Sequence, residues 1–487
     1  MGGSVRANAS AHGGSLFSAC PLRALHVMYH RPFGPGGFLA CPVNTDCAKT
    51  AIGNGQWESD VNKLHQQLQD MFEDRAVFNA DVREQHGRDE SFHAPSPPDV
   101  VVYAKSTEEV AAVVRECARN ETPLIPFGVG TSLEGHVAAL QGGVCLDLSL
   151  MNEVLEVNPE DLDCRVQAGV TRKQLNAELA RDGIFFPVDP GADATLGGMA
   201  ATSASGTNAV RYGTMKENVI GLTAVLPSGE VVRTGGRSRK SASGYDLTHL
   251  LVGSEGTLGI ITEVQLRAYG LPAAHAAGVC SFETLEGAVN SVIAIIQYGI
   301  PVARIELLDD VQMAAVNRYS NLDYPEQATL FFEFHGMSDA GVSEQSELAA
   351  ELTSQFGGGE FRWSTKQEDQ NELWQARHDA YYAALSIKPG AQGWPTDVCV
   401  PISRLAECIA ETKRDVDEAG IVTPIVGHAG DGNFHLLLLV DPDDPADMQR
   451  AHEVNDRLIR RALEMGGTCT GEHGIGYGKA GYMELEH

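Results

Sequence analysis

The glycine-rich stretch at residues 187–213 constrains the fold more than any other part of this sequence. It reads PVDPGADATLGGMAATSASGTNAVRYG, with five glycines, no lysine or glutamate and almost no bulky apolar residue. Such a composition makes a poor core strand or helix, but it lets backbone amides converge on a phosphate or a ring nitrogen. A flexible surface loop is the alternative. Arg211 and the apolar strand that the pattern predicts at residues 219–226 favour contact with a large ligand.

Composition limits the classes of protein to which the chain can belong. Its 487 residues include 65 acidic and 36 basic side chains, for a net charge of −29. This charge repels nucleic acid and anionic membranes and favours a basic partner. The ten cysteines are scattered singly, which indicates reduced thiols in a reducing compartment. No apolar run is long enough for a transmembrane helix.

The first fifty residues differ from the rest of the chain. Residues 1–50 carry several arginines against a single acid, Asp46, and are rich in Ser, Ala and Gly. This bias predicts an organelle transit peptide, and a disordered tail is the alternative. Residues 51–95 are predicted to hold a helix and a linker into the first domain.

A second glycine-rich loop follows a predicted β-α-β unit. Residues 127–136 read FGVGTSLEGH. A dinucleotide-binding turn of the Rossmann type needs a third glycine at the position of Leu133, and a strand rather than a helix comes next. The NAD fingerprint therefore fails here. Thr131, Ser132 and the backbone amides remain suited to cradling a pyrophosphate.

The pattern changes after residue 271. Helical and strand-like segments then alternate, which predicts an α+β domain with an antiparallel sheet and helices on one face. We therefore divide the chain into residues 96–271 and residues 272–487.

Two histidine-containing turns close the sequence. VGHAGDGNFH at residues 426–435 brackets a Gly-Asp-Gly-Asn turn with His428 and His435, and GEHG at residues 471–474 adds Glu472 and His473. Together these four side chains offer three metal ligands and one spare titratable group. Two histidines with one carboxylate suit a divalent metal that keeps an open position. The spacing fits no HExxH or zinc-finger pattern, and ordinary polar surface residues are the alternative.

Seven motifs in order resemble the FAD-dependent 2-hydroxy-acid dehydrogenases of the vanillyl-alcohol-oxidase (PCMH) flavoprotein superfamily. They are PFGVGTSLEGH (126–136), DPGADATLGGMAATSASGTNAVRYGTMKENV (189–219), VGSEGTLGIITE (252–263), ELWQARHDA (372–380), TDVCVP (396–401), VGHAGDGNFH (426–435) and GTCTGEHGIGYGK (467–479). The resemblance implies a PCMH-type FAD-binding domain of two α/β subdomains and an α+β cap domain with an antiparallel sheet.

The resemblance also implies an activity and a setting. We expect oxidation of D-lactate to pyruvate by hydride transfer to flavin N5, with the electrons passed to cytochrome c or a similar acceptor in the mitochondrion. D-2-hydroxyglutarate or glycolate is the alternative substrate, and a metal-dependent hydrolase is the more remote alternative. The acidic surface suits a basic cytochrome. Relatives continue a few dozen residues beyond GEHGIG, so we expect the tail of the family to be missing after His487.

Specific residues take roles through this resemblance. His473 matches the catalytic base, Arg377 the arginine that grips the substrate carboxylate, and Lys388 lies near a position that can assist. His428, His435 and Glu472 match ligands of a zinc or manganese ion. Despite the histidine in the pyrophosphate loop, we expect FAD to be held non-covalently. The residues expected to bind it are Pro126, Gly128, Gly130, Thr131, Ser132, Gly135, His136, Asp189, Pro190, Thr195, Gly197, Gly198, Ala201, Thr202, Ser205, Gly206, Arg211, Tyr212, Gly213, Glu255, Gly256, Gly259, Ile260 and Ile261.

Overall fold

The computed structural model describes the backbone of residues 54–487 and the side chains of residues 63–487. The transit-peptide prediction for residues 1–50 lies outside the described residues. The helix predicted before the first domain is present as Asn54–Phe72 (α1), and a short helix, Ala80–Gln85 (α2), precedes the proline-rich linker.

The first sheet of the described chain has four strands, Ala76–Val77 (β1), Val100–Tyr103 (β2), Leu124–Phe127 (β3) and Val144–Asp147 (β4), in the order β1-β2-β4-β3. Strands β2, β4 and β3 are parallel, as a β-α-β connection requires. The connecting helix Thr107–Arg119 (α3) begins because the Ser106 hydroxyl accepts from the Glu109 N–H. Its valines and Cys117 are buried on the sheet, as the apolar spacing predicts.

The second sheet of the described chain is antiparallel. Its strands are Val154–Asn158 (β5), Asp163–Gln167 (β6), Val219–Val225 (β8), Val231–Gly235 (β9) and Ile260–Arg267 (β10), in the order β5-β6-β10-β8-β9, while Ile184–Phe185 (β7) pairs with Tyr269–Gly270 (β11). The helices here are Arg172–Leu179 (α4), Leu196–Ala201 (α5), Ala209–Tyr212 (α6), Met215–Asn218 (α7) and Leu247–Leu251 (α8). The glycine-rich stretch therefore lies between β7 and β8 and forms short helical turns.

Residues 272–487 build an antiparallel sheet of eight strands within the described chain. The strands are Ala274–Phe282 (β12), Val302–Leu308 (β13), Ala328–Gly336 (β14), Arg362–Ser364 (β15), Gln392–Pro395 (β16), Val398–Cys399 (β17), Ile425–His428 (β18) and Asn433–Val440 (β19). Their order is β15-β12-β14-β13-β18-β19-β16, and β17 pairs with β19. The predicted α+β class is confirmed.

Helices cover both faces of this sheet, so the prediction of helices on one face only was wrong. Leu285–Tyr298 (α9), Asp339–Gln355 (α11), Leu405–Ala419 (α14) and Pro445–Glu464 (α15) pack on the larger apolar cluster. Asp310–Ser320 (α10), Gln367–His378 (α12) and Ala380–Ile387 (α13) pack on a smaller cluster across the sheet, and Met483–Glu486 (α16) ends the chain. Alternating strand residues such as Phe331 and Phe332 are apolar on both faces, which allows both to be covered.

The second face of the sheet also carries polar side chains, and they place the candidate site. Glu306 on β13 is directly opposite His428 on β18, and Val426 on β18 is opposite His435 on β19. Because side chains two residues apart share a face, Glu306, His428 and His435 point to the same side. None of the described helices combines the length and apolarity that a bilayer crossing requires.

Candidate active site

The three side chains expected to hold a metal converge on one carboxylate oxygen. Glu472 Oε1 lies 3.1 Å from His428 Nε2 and 3.2 Å from His435 Nε2. All three groups could hold one ion, since their ligand atoms lie within 4.8 Å of one another. They come from two adjacent strands and a loop close to the end of the chain, so only the tertiary fold unites them.

Hydrogen bonds on the far side of each imidazole fix its tautomer. His428 Nδ1–H donates to Glu306 Oε1 at 2.7 Å, and His435 Nδ1–H donates to the Thr396 carbonyl at 2.9 Å. Since a carbonyl and an ionised carboxylate only accept, the proton of each neutral ring sits on Nδ1. Both Nε2 lone pairs are then left to face Glu472, which is the donor set that a divalent ion needs.

Charge is concentrated around these histidines. Burial raises the pKa of the Glu472 carboxyl, but His428 and His435 outweigh it and hold that pKa well below its ordinary value. Burial lowers the pKa of His428, but Glu306 and Glu472 hold that pKa well above its ordinary value. The carboxylates of Glu306 and Glu472 therefore favour a positive charge at this site, either as a proton on His428 or as a bound cation.

His473 follows Glu472 and lies against the same cluster. Its ring stacks on His435 with centroids 4.9 Å apart and planes 6° apart, and its Nδ1 lies 3.7 Å from Glu134 Oε1. Burial lowers the pKa of His473, but Asp397 and Glu134 outweigh it and raise that pKa overall. This imidazole is thus placed beside the carboxylate-histidine cluster, and its raised pKa makes its neutral form a stronger proton acceptor than a free imidazole.

A single buried carboxylate, Asp397, fastens the loop that carries Glu472 and His473. Asp397 Oδ2 accepts from the N–H groups of Gly471 at 2.7 Å, Glu472 at 2.9 Å and His473 at 3.0 Å, and from the Thr470 hydroxyl at 2.5 Å. Burial raises the pKa of this carboxyl, but His473, Lys479 and His435 hold it well below its ordinary value. The ionised group therefore fixes three consecutive backbone amides at once.

Arg377 reaches the cluster from the end of α12. Its Nε donates to Glu306 Oε2 at 2.8 Å, so Glu306 bridges Arg377 and His428. The two terminal nitrogens of Arg377 make no hydrogen bond with any described residue, and the side chain is 23% exposed. An open planar fork of this kind matches a carboxylate.

The side chain of Lys388 lies away from the histidine-carboxylate cluster. Its ammonium pairs with Asp447 at 2.8 Å and donates to the Leu439 carbonyl at 3.0 Å. Leu439 is four residues beyond His435 on β19, a distance of about 13 Å along an extended strand. Lys388 therefore lies outside the cluster that the histidines form, and it takes no part in the mechanism proposed below.

The loop after β3 offers a row of backbone donors. Within the described chain, no backbone N–H from residue 128 to residue 135 donates a hydrogen bond. Two glycines of this loop have positive φ angles. The apolar side chains of Val129 and, on the neighbouring loop, Leu258 are 42% and 38% exposed. Backbone amides without an acceptor can bind a pyrophosphate, and exposed apolar side chains can contact the face of a ring. The residues of this region therefore fit FAD.

The residues expected to contact FAD divide by burial. Partly or fully exposed are Pro126, Gly128, Gly130, Thr131, Ser132, His136, Asp189, Pro190, Gly198, Ala201, Thr202, Ser205, Arg211, Tyr212, Gly213, Glu255 and Gly256, and buried are Gly135, Thr195, Gly197, Gly206, Gly259, Ile260 and Ile261. Gly197 serves packing, because its N–H donates to the Ala168 carbonyl and a Cβ there would lie 2.5 Å from Ala168 Cβ. The side chains of Ile260 and Ile261 fill apolar clusters.

The glycine-rich stretch also contacts the cap sheet directly. Arg211 Nη1 donates to the carbonyls of Pro301 and His335, at 2.7 and 3.0 Å. Asp189 Oδ2 accepts from Arg304 Nη2 at 3.2 Å, and Arg304 also pairs with Glu333. These charged side chains of the stretch thus hold the two domains together, a role that the sequence analysis did not assign to them.

A third contact joins the FAD-type loops to the C-terminal loop. Glu255, which has a strained positive φ of 51°, accepts from the N–H groups of Ile475 at 2.7 Å and Gly476 at 2.9 Å. Gly474, which precedes Ile475, has φ +84°, and a Cβ there would lie 2.7 Å from Glu255 Oε1 and 2.8 Å from His136 Nε2. The loop carrying His473 is therefore held against the loops that fit FAD.

The sequence analysis missed the buried acids that organise this site. Glu306 and Asp397 are fully buried, and Glu134 is 4% exposed. One signal was present, because an acid within the mostly apolar strand VARIELL of β13 needs a buried partner. Asp397 and Glu134 lay inside motifs that had been recognised without a role for either residue.

Comparison with known proteins accounts for both domains. Residues 98–235 match the family model of an FAD binding domain, and residues 271–487 match that of the C-terminal domain of FAD linked oxidases. The "Probable D-lactate dehydrogenase, mitochondrial" of Danio rerio is 55% identical over 83% of this chain and 82% of that protein. The "D-lactate dehydrogenase [cytochrome], mitochondrial" of Arabidopsis thaliana is 44% identical over 90% of this chain and 77% of that protein.

A solved structure agrees with the fold. Substrate-bound p-cresol methylhydroxylase superposes with a TM-score of 0.71 at 18% identity, covering 88% of this chain and 93% of that one. The resemblance, the PCMH-type fold and the FAD-binding domain expected from the motifs are confirmed. The chain belongs to the family of FAD-dependent D-2-hydroxy-acid dehydrogenases that includes the mitochondrial D-lactate dehydrogenases.

Proposed function

We propose that this chain oxidises D-lactate to pyruvate in the mitochondrion and passes the electrons to a cytochrome. The observation that carries the proposal is the convergence of Arg377, the histidine-carboxylate cluster and the FAD-type loops around one region. The names of the relatives support the substrate, the acceptor and the compartment. The net charge of −29 supports a basic electron acceptor, since charge complementarity speeds encounter.

The chain's own residues divide the work of binding. The open fork of Arg377 holds the substrate carboxylate, which fixes the orientation of the Cα–H bond. The amides of residues 128–135 and the loops at residues 189–213 and 255–261 would hold the flavin non-covalently. Bound FAD supplies the acceptor for the hydride that leaves Cα.

His473 receives the hydroxyl proton. Its ring lies beside Glu472 and is oriented by stacking on His435, so it is positioned next to the hydroxyl of a substrate held by Arg377. His428, His435 and Glu472 would hold a zinc or manganese ion. The fixed tautomers of the two imidazoles support this assignment. A divalent ion bound there would lower the pKa of the substrate hydroxyl.

The charges around Arg377 favour a monocarboxylate over a dicarboxylate such as D-2-hydroxyglutarate. Arg304 is the nearest cation along β13, but it is already bonded to Asp189, Glu333 and the Asn208 amide. A second substrate carboxylate would have to displace one of these partners, which a buried ion pair resists. The substrate therefore carries one carboxylate.

An anaerobic titration tests this function. The FAD-bound protein is mixed with D-lactate or L-lactate, and the loss of visible flavin absorbance is followed. We expect reduction by D-lactate and none by L-lactate, with D-2-hydroxyglutarate and glycolate slower. His473→Ala should keep the yellow colour and reduce about 10²–10⁴-fold more slowly. Equal reduction by both lactate enantiomers, or full speed in the variant, would refute the assignment.

A further inference from the structure

Glu306 is an acid in a position where acids are rarely found. It lies in β13, whose sequence VARIELL is apolar except for Arg304 and Glu306, and none of its surface is exposed. A carboxylate without water must be compensated by specific partners. Its partners come from two different elements of the cap domain, α12 and β18, and each belongs to the proposed site.

The two oxygens of Glu306 are used separately. Oε1 accepts from His428 Nδ1 at 2.7 Å, and Oε2 accepts from Arg377 Nε at 2.8 Å. Because both oxygens belong to one small planar group, the imidazole and the guanidinium are held at a fixed separation. His428 then directs Nε2 to Glu472, while Arg377 keeps both terminal nitrogens without a partner among the described residues.

We infer that Glu306 is the positioning residue that sets the distance between the substrate's carboxylate site and its hydroxyl site. This inference rests on the proposed function, in which Arg377 holds the carboxylate and the cluster of His428 faces the hydroxyl. In a 2-hydroxy acid these two groups sit on adjacent carbons, whereas a 3-hydroxy acid adds one carbon between them. Glu306 thereby makes the enzyme selective for 2-hydroxy acids.

A neighbouring acid provides a matched comparison. Glu333 on β14 is also largely buried, and it also bridges a histidine and an arginine, His335 and Arg304. It differs in that neither partner belongs to the proposed site. A change at Glu333 therefore removes a similar ion pair without touching the carboxylate-to-hydroxyl spacing.

The main test replaces Glu306 with glutamine. An amide has one accepting oxygen, so Glu306→Gln can satisfy His428 or Arg377 but not both. We expect Mn²⁺ affinity, measured by EPR of free Mn²⁺ titrated into metal-stripped, FAD-bound protein, to fall about 10–100-fold. We also expect the KM for D-lactate to rise about tenfold, and the preference for D-2-hydroxybutyrate over D-3-hydroxybutyrate to fall about tenfold, with FAD content unchanged.

Controls separate a positioning role from a general loss of structure. Glu333→Gln should leave Mn²⁺ affinity and the preference between the two hydroxybutyrates within about twofold of wild type. Arg377→Lys keeps the charge but loses the Nε bond, so it should weaken the preference while leaving Mn²⁺ affinity unchanged. If Glu306→Gln does not fold, the Arg377→Lys variant tests the inference instead. An unchanged preference between the two hydroxybutyrates in that variant overturns the inference.

Failure of the inference is distinguishable from failure of the proposed function. A Glu306→Gln protein that folds, binds Mn²⁺ as tightly as wild type and keeps its preference overturns the inference while D-lactate oxidation stands. A wild-type protein whose flavin is not reduced by D-lactate overturns the proposed function and the selectivity inference with it. The Mn²⁺ titration needs no turnover, so it reports on the Glu306–His428 contact in either case.

Discussion

Asp397→Asn should release the C-terminal loop that carries Glu472 and His473. In the folded chain, four donors from residues 470–473 share one carboxylate oxygen of Asp397. A hydrogen bond to a charged acceptor contributes about 1 kcal/mol more than one to a neutral acceptor. Four such bonds make the expected loss about 4 kcal/mol, before the new amide group meets the Asn433 amide, which donates to this side chain at 2.7 Å.

The loss should be local, so hydrogen exchange measured by mass spectrometry is the appropriate assay. A loss of about 4 kcal/mol corresponds to about thousandfold faster exchange of the amides of residues 471–473. Asp447→Asn is the matched control, because Asp447 is a largely buried carboxylate that accepts a backbone N–H and pairs with Lys388. Unchanged exchange in Asp397→Asn, or equal acceleration in the control, would show that the carboxylate does not hold the loop.

Two further variants test the charge and the backbone of the fold. Burial raises the pKa of Asp309 to about 6 despite Lys413, so the folded chain binds this proton more tightly than the unfolded chain does, and its stability rises as the pH falls through that value. In urea unfolding, the stability of wild type relative to Asp309→Asn should therefore increase by about 2 kcal/mol between about pH 7 and pH 4, and a constant difference would contradict the shift. Gly474→Ala adds left-handed strain of about 1–2 kcal/mol and a Cβ 2.7 Å from Glu255 Oε1, whereas Gly466→Ala, with φ +79° and nothing within 4 Å, adds the strain alone. We expect kcat to fall more than about tenfold in the first variant only, and equal kcat values in the two would count against the contact.

Short motifs in the sequence marked the residues that form the cluster, and the family resemblance was needed to prefer this interpretation over ordinary polar surface residues. His428 and His435 bracket a tight turn and Glu472 lies in a glycine-rich loop, so local composition marks all three. The acid that hydrogen-bonds to His428 Nδ1 carries no such local mark in the sequence. Glu306 is 122 residues from His428 along the chain, and its role follows only from the pairing of β13 with β18. A sequence without an alignment does not contain that register, so this acid could not be assigned.

As with the site, the local features of the fold could be predicted from the sequence, whereas its long-range arrangement could not. Periodicity gave α3 and its buried face, because a capped amphipathic helix is a local property. The sides of the cap sheet were not predictable, since β12 and β14 are apolar on both faces and the pattern does not say which helices cover each. Arg211 was expected at the flavin for its place in a recognised motif, yet its guanidinium donates to Pro301 and His335 in the cap domain.

The charges around the two histidines argue for the proposed ion without reference to any relative. Glu306, Glu472, Asp397 and Glu134 are linked by contacts of 3.7 Å or less to the imidazoles, while Arg377 and Lys479 are the permanent cations among them. Four carboxylates and two permanent cations leave two negative charges, and the carboxylates accordingly raise the pKa of His428 and of His473, so that protons on these imidazoles balance the charge when no metal is bound. The proposed divalent ion, held by His428, His435 and Glu472, would supply this positive charge in place of the proton on His428.

One of these four carboxylates comes from the FAD-binding domain, so the charge balance of the site links the two domains. Glu134 comes from the loop after β3, and its carboxylate meets Lys479 at 3.1 Å and His473 at 3.7 Å. The loop whose amides we propose to bind the pyrophosphate therefore also contributes one of the acids whose charge the proposed ion would balance. Removing the ion should leave Glu134 and Asp397 competing for Lys479, which lies 3.7 Å from the Asp397 carboxylate. Loss of the metal would then loosen the pyrophosphate loop, so chelation should weaken FAD binding in this protein as well as stop turnover.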